Sequence, residues 1–153
     1  MREILFKAKR LDNGEWVEGY YCSKAETTFC FKEDYEKNPI STHYYILVEA
    51  MTDWGLPNRF SLVEINPDTL CQYTGLSDKN SVKIWENDII KAILDEYFPE
   101  DITYESVAWH EASFYTYENN RPVDVLDKWD TENFEVCGNI FDNPELLGSN
   151  SAS

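Results

Sequence analysis

Apolar positions along this chain recur with a period of two, in short runs divided by turn residues, which is the grammar of strands rather than helices. Ile4, Phe6 and Ala8 alternate with Leu5, Lys7 and Lys9, and Trp16 to Cys22 reads as the returning strand. Between them Asp12-Asn13-Gly14 supplies residues that tolerate the positive φ of a tight hairpin. Thr28 to Phe31, Tyr44 to Val48 and Arg59 to Ile65 are further β-prone runs. The polar stretch 33–39, ending in Pro39, reads as a loop or one frayed turn. Asn66-Pro67-Asp68 has the order of a helix start, with a capping Asn, a proline suited to the first turn and an acid at the positive end of the dipole. That short helix is expected to close before Gly75.

The second half continues in the same manner. Leu76 to Ser81 reads as a turn, and Ile89 to Leu94 as a buried β-branched strand. Residues 95–105 hold five acids, no base and Pro99, and are expected to form an exposed loop. Ser106 to Trp109 and Ser113 to Tyr117 resemble paired strands, Val123 to Trp129 fits either a strand or a short helix, and Phe134 to Phe141 reads as a last strand. Asp142-Asn143-Pro144-Glu145 repeats the cap-proline-acid order and starts a terminal turn. Many short strands and few helices favour a barrel or sandwich over a parallel α/β sheet. A division into two parts would fall near residues 66–83.

Composition agrees with a packed β domain. The 153 residues are 42% hydrophobic and 15% aromatic, too apolar for global disorder. No run approaches the roughly 20 apolar residues of a membrane helix. The opening residues enter the strand pattern without the apolar core of a signal peptide, so a cytoplasmic location is expected. Cys22, Cys30, Cys71 and Cys137 lack the close pairing of zinc ligands and sit among apolar neighbours, so they read as buried free thiols.

Charge changes the picture more. The net charge is −16, and residues 86–135 carry 14 acids against Lys91, Arg121 and Lys128, a net of −11. Such a half repels phosphate backbones, disfavours direct nucleic-acid binding and attracts a basic protein partner.

Several stretches carry a family resemblance. Arg2-Glu3-Ile4-Leu5-Phe6-Lys7-Ala8, Trp16-Val17-Glu18-Gly19-Tyr20, Gln72 to Asn80 with Ile84 to Ile90, and Gly138 to Leu147 resemble segments of the YopX family of phage and prophage proteins, across residues 2–147. The family often has Gly where Ser81 and Asn87 stand, which would suit a backbone at positive φ. The resemblance implies a mainly β fold: an N-terminal hairpin-containing part over 1–70, packed with an SH3-like small barrel over 71–147, with few short helices; the small, polar residues 148–153 read separately as a flexible tail. It brings no established activity and no catalytic residues.

Candidate chemistry is sparse. His43 and His110 are the only histidines, too few for a three-histidine metal site. His110 and Glu111 are neighbours on a strand and point to opposite faces. Glu86 and Asp88 flank a turn, where such residues commonly bond the local backbone. Trp109, His110, Tyr115 and Tyr117, with Glu86 and Asp88, form the expected partner surface. No cofactor, metal or catalytic residue is expected, and the chain reads as a non-enzymatic protein-binding accessory protein. The alternatives are a small hydrolase or metal-dependent enzyme near His110, Glu86 and Asp88, and a component of a structural homo-oligomer.

Overall fold

The computed structural model describes residues 1–93, 97–98 and 100–148. The chain divides into two compact units, one formed by Ile4–Leu70 and one by Met1–Glu3 together with Cys71–Ser153. Both consist mainly of antiparallel strands.

In the first unit, β1 (Phe6–Lys9), β2 (Trp16–Ala25), β3 (Thr42–Ala50) and β4 (Arg59–Glu64) follow one another as antiparallel neighbours. Period-two alternation sends Ala8, Ile46, Tyr21, Val48 and Val17 to one face, where with Ile65 they build the core. Gly19 stands on that face because a Cβ there would lie 2.0 Å from the Leu47 carbonyl oxygen. The sheet curls until the ends of β1 and β4 meet: Arg10 bridges Ile65, the Leu11 amide donates to the Glu64 carbonyl and the Asn66 amide donates to the Lys9 carbonyl.

The β1–β2 connection differs from a two-residue turn. Arg10 donates to Glu15, Gly14 donates back to Arg10, and only Gly14 of the turn residues has a positive φ, at 73°. A longer loop fits because the Asn13 carboxamide accepts from the Glu15 amide and satisfies it locally. Two further expectations are corrected. Thr28 to Phe31 is not a strand, and Lys32–Lys37 forms a six-residue helix, α1, with Glu33 and Asp34 in its first turn and Lys37 in its last. Asn66 does cap, accepting from the Asp68 amide, but the helix is a single 3-10 turn, Pro67–Thr69. It ends early because the Thr69 hydroxyl accepts from the Lys9 amide and turns the chain back to extended.

In the second unit, β5 (Cys71–Ser77) pairs with β6 (Lys83–Trp85). A five-stranded sheet follows, built from β7 (Asp88–Ile93), β8 (Ile102–His110), β9 (Ser113–Glu118), β10 (Arg121–Val125) and β11 (Glu135–Asn139) in the order β10-β9-β8-β7-β11. It is an open sheet with β10 and β11 at its edges. Two short helices accompany it, α2 (Lys128–Asn133) and α3 (Glu145–Gly148). Ile84, Ile90, Ala92, Val107, Leu126 and Phe134 form the core.

The acidic stretch expected to be a loop through Glu105 is strand from Ile102 onward, because its alternation continues that of Val107 and Trp109. The rest of that expected loop includes Asp95, Glu96 and Pro99, which lie outside the described residues, as do Leu94 and tail residues 149–153. Gly148 belongs to α3. Of the thiols, Cys71 is buried, but Cys30 is exposed, since the run around it is not a strand with an inner face.

Candidate functional site

The residues expected at a partner surface divide into three places. Asp88 is buried and accepts from the Trp85 amide at 2.8 Å, closing the β6–β7 turn. Glu86 sits in that turn, and burial pushes its carboxyl up against the lowering effect of a hydrogen bond from the Gln72 backbone. The Asn87 amide donates to the Val107 carbonyl, and its own carbonyl accepts from Ile140. The turn is therefore a junction between the stretches around residues 84–90 and 138–147, and its carboxylates are occupied locally.

Trp109 and His110 take opposite faces of β8. Trp109 packs edge-on against Phe114 at 4.9 Å. His110 stacks edge-on with Tyr115 at 5.2 Å and lies 6.3 Å from Tyr117. These three rings share the sheet face away from the core. The register Ile89↔Ser106 sets Asp88 level with Val107, so His110 lies three residues farther along, about 10 Å, with its side chain on the other face. His110, Glu86 and Asp88 thus do not share a pocket, while His110, Tyr115 and Tyr117 form one ring cluster.

A more concentrated arrangement lies on the core-facing side of the same sheet. A groove of about 230 Å³ is lined by Glu105, Thr116, Asp124, Asp127, Asp130, Trp129, Val123 and Phe134. Glu105 comes from the middle of β8, opposite Ile90, at a position where the alternation calls for an apolar side chain. It is 7% exposed. Asp124 is presented by β10, where the register with β9 shifts between Pro122 and Asp124. A bulge of this kind re-aims side chains at a sheet edge. Asp127 and Asp130 form a capping box at the start of α2: Asp127 accepts from the Trp129 and Asp130 amides, and Asp130 accepts from the Asp127 amide at 2.7 Å. That box fixes Trp129 at the rim, half exposed and edge-on to Phe134 at 6.1 Å.

The electrostatics of this groove are one-signed. Burial, then the nearby Glu118, Asp130 and Asp124, hold the Glu105 carboxyl above its ordinary value, against a hydrogen bond from Thr116 that lowers it. Burial, with Asp127 and Asp124, also raises Asp130, against the Asp127 amide. Lys128, the nearest base in sequence, pairs with Glu132 at 3.7 Å on the exposed side of α2. Among the described residues no Lys or Arg is paired with Glu105, Asp124, Asp127 or Asp130, and no group of three or more potential ligands is arranged to hold a metal ion. The arrangement suits a ligand that brings positive charge on a flat or slender group.

Sequence reasoning missed Glu105, Asp130 and Trp129. The signals were present: Asp127-x-x-Asp130 has capping-box spacing, and Glu105 is in phase with Val107.

No curated protein matches this chain. Among solved structures, the crystal structure of protein EF1440 from Enterococcus faecalis is similar in fold, with 20% identity, a TM-score of 0.53, and coverage of 96% of this chain and 99% of that one. A family model described as YopX protein matches residues 5–148, nearly the full length, and the chain belongs to the YopX family.

Proposed function

We propose that this chain is a non-enzymatic accessory protein of phage or prophage origin, and that its acidic groove receives a lysine or arginine side chain of a protein partner. The carrying observation is Glu105. It is a buried carboxylate whose charged form is disfavoured by its surroundings, and it faces a groove with no described cation paired to it. Burying such a group costs stability unless it is paired. An arriving cation supplies the missing partner, and the half-exposed Trp129 ring offers a cation–π face beside it. The net −11 of residues 86–135 adds long-range attraction for a basic surface and opposes phosphate. We read residues 71–147 as the SH3-like small barrel that the family resemblance implies, a reading supported by five antiparallel strands with a short helix leading into the last of them.

The test is calorimetric titration of the full chain with a short arginine- and lysine-rich peptide at low and high salt. Binding that weakens with salt and falls at least fivefold in Glu105→Gln with Asp124→Asn is expected. Absence of binding, or equal binding by the double variant, sinks the proposal.

A further inference from the structure

The connection between β2 and β3 is tied to its sheet through a histidine. Residues 26–41 leave the sheet after the Ala25–Thr42 pair and carry α1. No residue of that stretch is buried. Its inner contacts are local: the Phe29 amide accepts no distant partner but donates to the Tyr35 hydroxyl, the two rings meet edge-on at 5.2 Å, and Lys32 pairs with Glu36 along α1. Glu26 ties the stretch back to the sheet. Its amide donates to the Ser41 carbonyl at 3.0 Å, and its carboxylate meets Nε2 of His43 at 2.8 Å.

His43, near the start of β3, holds a second carboxylate on its other nitrogen, that of Glu64 at the end of β4, at 2.5 Å. Because β3 runs between β2 and β4, the ring links both flanking strands at the end of the sheet from which the connection departs. A ring that donates from both nitrogens suits two carboxylates. A neutral imidazole donates from one nitrogen and presents a lone pair at the other, which repels a carboxylate. One of the two is then let go. Geometry selects Glu26: its bond is the longer, its side chain is 55% exposed against 40% for Glu64, and it lies beyond the end of its strand.

We propose that the proton on His43 is a local switch, which keeps residues 26–41 closed on the sheet while bound and releases Glu26, and with it the connection, when it leaves. A stretch with no buried residue has little else to order it once a contact at its base is lost. The other groups around the ring leave this balance intact. Lys24, the cross-strand neighbour of His43, is exposed and brings one like charge against two carboxylates. Tyr45 stacks on the ring at 6.3 Å and is neutral near pH 7. Arg10, which lines a groove with Glu64, is committed to Asp12 through Nε and Nη2. The Glu64 bond, then the Glu26 bond, hold the ring's pKa above 6.5 against the effect of burial, so the connection is closed below that value and opens as pH rises through the folded one.

Trypsin cleavage of the full chain after Lys32 and Lys37, normalised to a free peptide spanning residues 26–41, reads the opening. Normalised cleavage should rise at least fivefold between pH 6 and pH 8.5, with a midpoint that coincides with the His43 titration followed by NMR. His43→Gln cannot change charge and should abolish the rise. Glu26→Ala removes an exposed acceptor, leaves the Glu64 bond in place and should be cleaved at the faster rate at both pH values. The proposal is overturned by a parent rate that ignores pH or by a midpoint away from that of His43. A rise that survives in His43→Gln, or a Glu26→Ala chain as resistant as the parent at pH 6, overturns it equally.

Discussion

The carboxylate of Asp78 accepts from the Val136 amide at 2.9 Å, across 58 residues of chain. Its other oxygen accepts from the Asn80 and Val82 amides at 2.8 and 2.9 Å. One 6%-exposed side chain thus closes the β5–β6 turn and fixes the entry of β11 into its sheet. Asp78→Ala leaves three amides short of an acceptor and should cost about 2–3 kcal/mol, as expected for bonds to a charged group. Urea denaturation measures this, and Asp78→Asn should lose less because it keeps one acceptor. Equal stability of Asp78→Ala and the parent would contradict this account.

His43 is gripped at both ring nitrogens, by Glu64 on Nδ1 at 2.5 Å and by Glu26 on Nε2 at 2.8 Å. Two carboxylate partners favour a ring that donates from both nitrogens, the imidazolium form. The Glu64 bond first, then the Glu26 bond, hold its pKa above the ordinary value near 6.5. A raised histidine pKa adds stability that is complete below the unfolded value and is lost as pH rises through the folded one. The urea midpoint should therefore fall as pH climbs above 6.5, and His43→Gln should flatten that slope. An NMR titration placing His43 below 6.5 would refute the assignment.

Glu105 has the opposite sign from the usual carboxylate. Its folded pKa is raised, so the folded state binds its proton more tightly, and stability declines as pH rises from the unfolded value near 4.5 through the folded one. Glu105→Gln keeps the shape without the charge. It should raise the thermal midpoint at pH 7 and remove part of the decline above pH 4.5, while weakening binding of basic peptides. A lower midpoint at pH 7 would show the carboxylate to be structurally favourable and remove its distinctive place in the groove.

Backbone geometry gives a paired prediction. Ser81 and Asn87 both have positive φ, at 64° and 67°. Asparagine tolerates that region and serine does so less well. Ser81→Gly should stabilise by up to about 1 kcal/mol, and Asn87→Gly should be closer to neutral. Gly19→Ala should lose about 1–3 kcal/mol or more, since the added Cβ meets backbone rather than a movable side chain. Differential scanning calorimetry separates the three, and a stabilised Gly19→Ala would overturn the packing argument.

Strand positions were legible where side chains alternate cleanly, as from Tyr44 to Val48 or Arg59 to Ile65. They failed where a polar residue takes an inward position. Glu105 broke the apparent period and hid the first half of β8. The helix expected from Asn66 was cut to one turn by a contact no local pattern reveals, the Lys9 amide on Thr69. The groove lies in the half of the chain that carries most of the net charge. Which carboxylates converge in the groove around Glu105, Asp124 and Asp130 depends on the β9–β10 register shift and on the capping box.

The meeting of Arg10 with Ile65 also carries a kinetic meaning. Every other strand pairing in its unit joins consecutive strands, so β1 to β4 can zip as successive hairpins at small entropic cost. The Arg10–Ile65 bridge spans almost the whole unit and forms only after those hairpins have brought its ends together. It is the latch of the folding sequence. Mutations there should speed unfolding while leaving the refolding rate nearly unchanged.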